Sequence, residues 1–86
     1  PNATKVNWDV NLFPNPSDGQ FSLFINKNGK YLANIYNMIG EKVWSREITE
    51  QHLFELKDLA KGQYLMELID VKDADQKVTK SFTINK

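Results

Sequence analysis

The chain has 86 residues, and its 11 Lys and Arg balance its 11 Asp and Glu, so no net field draws it to nucleic acid or to an anionic membrane. That length allows one domain, residues 1–86, whose core buries somewhat above ~60% of the surface of the unfolded chain, too little to house an elaborate active site. With no Cys, His52 as the lone histidine and no apolar run longer than three residues, disulfides, thiolate metal sites, a cysteine nucleophile, a spanning helix and direct membrane insertion are all set aside.

The chain opens on Pro1 rather than Met, which leads us to expect a processed product or a piece of a longer protein. Residues 1–5 read as a loose leader, in which Asn2-Ala3-Thr4 has the form of a glycosylation acceptor. Val6, Trp8, Val10 and Leu12 then alternate with polar residues, the period of a half-buried strand. Pro14-Asn15-Pro16-Ser17-Asp18-Gly19 is the most punctuated stretch: two prolines fix φ, remove two donors and push Phe13 and Asn15 towards extended conformations. It reads either as a rigid turn that deters edge pairing or as a preformed surface for a receptor. Phe21, Leu23 and Ile25 share one face of a second strand, with Ser22 and Phe24 on the other. Asn28-Gly29 predicts a hairpin to a third strand over residues 31–36. Met38-Ile39-Gly40-Glu41 turns the chain into a fourth strand over residues 42–47, with Val43 and Trp44 on opposite faces. A fifth short strand over residues 52–56 is the least secure, because Ile48, Leu53, Leu56, Leu59 and Ala60 also suit one face of a helix; we favour strand, with a helical turn at residues 57–61. Tyr64, Met66 and Leu68 mark a sixth strand, residues 72–76 a polar turn, and Val78, Phe82 and Ile84 a seventh.

Seven short strands joined by brief polar turns predict an all-β, seven-stranded immunoglobulin-like sandwich. Leu59-Ala60-Lys61-Gly62-Gln63-Tyr64 has the form of a tyrosine corner, in which the hydroxyl bonds backbone a few residues upstream, and it supports that class. The last hairpin is asymmetric in charge: Glu67, Asp70, Asp73 and Asp75 face a segment with three lysines, Lys77, Lys80 and Lys86. Cross-strand complementarity explains this, as does a basic strand held for a partner, with Lys80 interrupting the apolar face. No catalytic constellation, phosphate loop, cofactor site or ordered calcium loop is present in the pattern, so we expect no enzyme. Trp44, Tyr36 and Phe24 are the aromatics freest to form an exposed platform, although filling a core is the commoner use.

Four blocks together resemble a known family. They are Asn11-Leu12-Phe13-Pro14-Asn15-Pro16-Ser17-Asp18-Gly19-Gln20-Phe21, Ile35-Tyr36-Asn37-Met38-Ile39-Gly40-Glu41-Lys42-Val43, Leu56-Lys57-Asp58-Leu59-Ala60-Lys61-Gly62-Gln63-Tyr64, and Lys80-Ser81-Phe82-Thr83-Ile84-Asn85-Lys86. In order, spacing and terminal position they are similar to the C-terminal sorting domain of the type IX (Por) secretion system of Bacteroidetes. Phe13 stands where that family commonly has Tyr. The resemblance implies a secretion address. Cargo passes through the periplasm, the domain is recognised by an outer-membrane translocon or shuttle protein, and a sortase-like peptidase usually removes it and attaches cargo to the cell surface. It implies Pro14, Asn15, Pro16, Gly19, Gly40 and Gly62 as pattern-defining and the strand carrying Lys80, Ile84 and Lys86 as the recognised segment, read by strand addition or a backbone nest. Two other expectations stand beside it: an accessory module binding carbohydrate or a neighbouring domain through Trp44, Tyr36 or Phe24, and weak self-association through an edge strand.

Overall fold

The computed structural model describes residues 6–86; the leader and the Asn2-Ala3-Thr4 site lie outside the described residues. Seven strands form two antiparallel sheets: β1 (Val10–Phe13), β2 (Gln20–Ile25), β3 (Lys30–Tyr36), β4 (Lys42–Thr49), β5 (Gln51–Glu55), β6 (Gly62–Asp70) and β7 (Asp73–Ile84). One sheet has the order β1-β2-β5 and the other β4-β3-β6-β7, so the expected all-β sandwich is present and, among the described residues, there is no helix.

Alternation builds the core. Phe21, Leu23 and Ile25 of β2 face Tyr31, Ala33 and Ile35 of β3 and Tyr64, Met66 and Leu68 of β6, all buried. A column of rings crosses between the sheets, with Phe54 stacked on Phe21 at 5.0 Å, Phe21 tilted against Phe82 at 5.0 Å, and Phe82 stacked on Tyr64 at 5.6 Å. These geometries suit ring quadrupoles better than a face-to-face sandwich does.

Four local expectations are corrected. Trp8 and Val10 are buried as the alternation requires, but the ladder of β1 begins only at Val10, since residues before it pair with no strand. Asn28-Gly29 does not close a hairpin. β2 pairs with β1 and β5 while β3 pairs with β4 and β6, so this segment carries the chain from one sheet to the other, and Asn28 keeps a negative φ. The turn expected at residues 72–76 is only Val71-Lys72; β7 starts at Asp73, and a bulge opposite Ile69 and Asp70 absorbs the extra residues. At residues 57–61 a β-turn closed by Leu59 N–H on the Leu56 carbonyl at 3.1 Å replaces the helical turn. Leu56 there is committed to the core, which leaves the other apolar residues no common helical face.

The tyrosine corner forms as the sequence indicates: the Tyr64 hydroxyl donates to the Ala60 carbonyl at 2.6 Å. A second corner was not anticipated, Tyr31 donating to the Lys27 carbonyl at 2.5 Å. Its signal was there. Gly29-Lys30-Tyr31 repeats the Gly-x-aromatic pattern of Gly62-Gln63-Tyr64 and Gly19-Gln20-Phe21, each opening a strand on a buried ring.

Candidate recognition surface

Strand register decides which of the motif residues meet. Phe13 ends β1, Gln20 begins β2 opposite Glu55, Gly62 lies opposite Ile84, and Tyr36 lies opposite both Leu65 and Lys42. The segments 14–19, 37–41, 56–61 and 85–86 therefore all leave the same end of the sandwich. Pro14, Asn15, Pro16, Gly19, Gly40, Gly62, Ile84 and Lys86 come together at this end, although Gly40 stands across the sheet from the others. Lys80 lies apart, opposite Met66 near the middle of β7.

The proline segment is clasped to β7. Ser17 bridges Ile84 in parallel: its N–H donates to the Thr83 carbonyl at 3.1 Å and its carbonyl accepts from Asn85 N–H at 2.6 Å. Asn15 reaches the same strand, Oδ1 accepting from Thr83 N–H at 3.1 Å and Nδ2 donating to the Ser81 carbonyl at 3.4 Å. Pro14 and Pro16, both following cis peptide bonds, flank Asn15 and stay exposed. The expectation of a strand edge open for addition is thus corrected over residues 81–85, because the proline segment already satisfies that edge. Prolines lack the donor a further strand would need.

Gly19 is buried behind the clasp with φ of 109°, its carbonyl accepting from Leu56 N–H at 2.7 Å. A Cβ there would stand 3.1 Å from the Leu56 carbonyl oxygen, so both backbone conformation and close approach require glycine. Ile84, 1% exposed, belongs to the core and offers no side chain to a partner. Lys86 Nζ donates to the Lys57 carbonyl, tying the end of the chain to the 56–61 segment.

Lys80 occupies the inward phase, as its place between Val78 and Phe82 requires, and its ammonium reaches Asp9 Oδ1, just before β1, at 3.4 Å. Asp9 is held below the usual carboxylate range by the Val10 N–H first and by Lys80 second. Lys77 lies 3.7 Å from Glu67 across the hairpin. Glu67 also accepts from Asn34 at 3.0 Å and from the Tyr36 hydroxyl at 3.2 Å, while Ser45 donates to Asn34 at 2.6 Å. That network ties four strands together on the outer face of the larger sheet and accounts for Asn34, 3% exposed yet polar.

The three aromatics considered for a platform are separated. Tyr36 lies on the outer face of the larger sheet and Phe24 on the outer face of the smaller one, stacked on Phe13 at 5.7 Å. Trp44 points between the sheets, 5.0 Å from Phe54, where it lines a cleft of about 240 Å³ with Arg46, His52 and Glu55. Burial, and then the Arg46 charge, push His52 below its ordinary value. Nor do Asp70, Asp73 and Asp75 converge: Asp70 holds Lys27 at 2.9 Å and caps Lys72 N–H, while Asp73 accepts from Asp75 N–H.

Residues 11–85 match the family described as the secretion system C-terminal sorting domain, and all four sequence blocks fall almost wholly within that span. The chain belongs to this family, the sorting domain of type IX secretion. No curated protein matches the chain. As a sorting domain it is a signal for type IX secretion, it interacts with that machinery, and it directs export to the outer membrane, the cell surface or the medium. The four blocks that carry the resemblance are spread over the whole sequence, yet the sorting domain gathers most of the residues singled out from them on one end.

Proposed function

We propose that this domain is a folded address rather than an enzyme, read through the end built by the proline clasp, the 37–41 turn and the 56–62 segment. The observation that carries this reading is the clasp itself. It joins the first and last of the family's blocks, so a receptor touching this end meets both only when the domain has folded. In this reading the cargo waits in the periplasm, and an outer-membrane translocon or shuttle protein engages the folded end. A sortase-like peptidase then cuts before the domain and attaches cargo at the surface. No cofactor is needed.

The test fuses a neutral periplasmic reporter upstream of residues 1–86 in a bacterium with an intact type IX system. The expected product is reporter at the surface whose mass lacks the domain and carries an added anchor. Surface reporter that retains the intact domain would remove the peptidase step. Deleting residues 80–86 is a poor control for recognition, because it strips Phe82 and Ile84 from the core. Two fully buried apolar side chains contribute roughly 3–6 kcal/mol, against a total stability of about 5–15 kcal/mol, so such a truncation reports unfolding.

A further inference from the structure

Met38 and Ile39 are the two most exposed large hydrophobic residues of the described chain, at 70% and 80%. They sit side by side on the tip of the β3–β4 hairpin, a turn held by five internal hydrogen bonds. Asn37 Oδ1 accepts from Ile39 N–H at 3.1 Å and from Glu41 N–H at 3.0 Å, and its Nδ2 donates to Glu41 at 2.9 Å. Asn37 N–H donates to the Glu41 carbonyl at 3.0 Å, and Gly40 N–H to the Asn37 carbonyl at 3.0 Å. The backbone of this tip is ordered before anything binds, which lowers the entropy lost on contact. The two side chains are adjacent, so they form one contiguous exposed apolar patch rather than scattered single residues.

We propose that Met38 and Ile39 are the apolar anchor of the recognition end, inserting into an apolar pocket on the protein of the secretion machinery that reads this domain. The inference rests on the sorting reading and names the contact chemistry within it. Location supports it, because this turn leaves the same end as the clasp, whereas the opposite end is formed by Asn26-Lys27-Asn28-Gly29, Glu50 and Val71-Lys72. Charge argues for protein over lipid. Around the recognition end Lys42, Lys57, Lys61 and Lys86 are matched by Asp18, Glu41, Glu55 and Asp58, leaving no excess of cations to hold an anionic bilayer. A flexible thioether beside a branched aliphatic chain can fill an irregular apolar pocket on a partner.

The test compares surface delivery of the reporter fused to wild-type residues 1–86 with three variants. These are the polar pair Met38→Ser with Ile39→Ser, the conservative pair Met38→Leu with Ile39→Val, and Val71→Ser, which removes a half-exposed side chain at the opposite end. The polar pair is expected to lower delivery about tenfold or more, the conservative pair clearly less than that, and Val71→Ser to stay within about twofold of wild type. Unfolding midpoints of the purified domains should coincide; if the polar pair melts early, Ile39→Asn alone is read against the same criterion. Wild-type delivery by the polar pair, or equal loss in the conservative pair, overturns the inference and leaves the sorting reading standing. Binding of the purified wild-type domain to phosphatidylethanolamine–phosphatidylglycerol vesicles that the polar pair abolishes also overturns it, in favour of a membrane. If the wild-type fusion never reaches the surface, the sorting reading falls and this inference with it.

Discussion

Two tyrosines spend their hydroxyls on carbonyls four residues upstream, Tyr64 on Ala60 and Tyr31 on Lys27, at opposite ends of the sandwich. One such bond is worth about 1 kcal/mol net, so Tyr64→Phe and Tyr31→Phe should each lower stability by about that amount in urea unfolding, and their effects should add because no partner is shared. An unchanged midpoint for either would show that its hydroxyl does no structural work. The second prediction concerns acid. Asp70, 6% exposed, is held below the usual carboxylate range by Lys27 first and by the Lys72 N–H second, and Lys27 is raised by the same contact. A depressed acid contributes stability above its unfolded value and loses it as pH falls through its folded value. Wild type should therefore weaken as pH drops below about 4, and Asp70→Asn should show a shallower fall over that window. Parallel curves would assign the acid sensitivity to other carboxylates. Tyr64 was legible in the sequence because Gly62 and the following alternation mark a strand start. Tyr31 carried the same mark but was masked by Asn28-Gly29, whose hairpin signal is strong and was answered here by a change of sheet.

At the level of elements, the clasp decides how β7 ends. Without it, residues 81–85 would present unpaired backbone groups at a sheet edge, the usual template for wrong pairing. Asn15→Ala removes the acceptor of Thr83 N–H and should cost about 1 kcal/mol. It should also speed hydrogen exchange at Thr83 and at Asn85, whose amide is held by Ser17 in the same bridge. Unchanged exchange at Thr83 would mean that the Asn15 contact does not persist in solution. The sequence showed a stiff segment after β1 and an apolar alternation in β7, because prolines and period-two patterns are local signals. It did not show that the two meet. That contact joins Asn15 to Thr83 across most of the chain, and its donors and acceptors are backbone groups that every residue possesses. The bulge in β7 escaped for a related reason: Asp73 and Asp75 are turn formers by type, and only pairing with β6 makes their segment a strand.

For the whole molecule, the two ends of the sandwich are built differently. One is closed by Lys27 with Asp70, by Glu50 on Gly29 N–H and by the Tyr31 corner. The other carries the proline clasp, the Tyr64 corner and the exposed Met38 and Ile39. The fold class was readable because seven alternating segments leave few alternatives for a chain of this size. The membership was readable because its blocks have characteristic spacing. Their convergence on one end was not, since it depends on three crossovers between sheets that periodicity does not reveal. A folded domain that is a sufficient address should send an unrelated cargo through type IX secretion by itself. The most direct measurement of this is surface protease accessibility of one reporter, fused to residues 1–86, in a strain with the type IX system and in a strain lacking it. Accessible reporter is expected in the first and protected periplasmic reporter in the second. Equal protection in both strains, with the domain shown to be folded, would contradict that expectation.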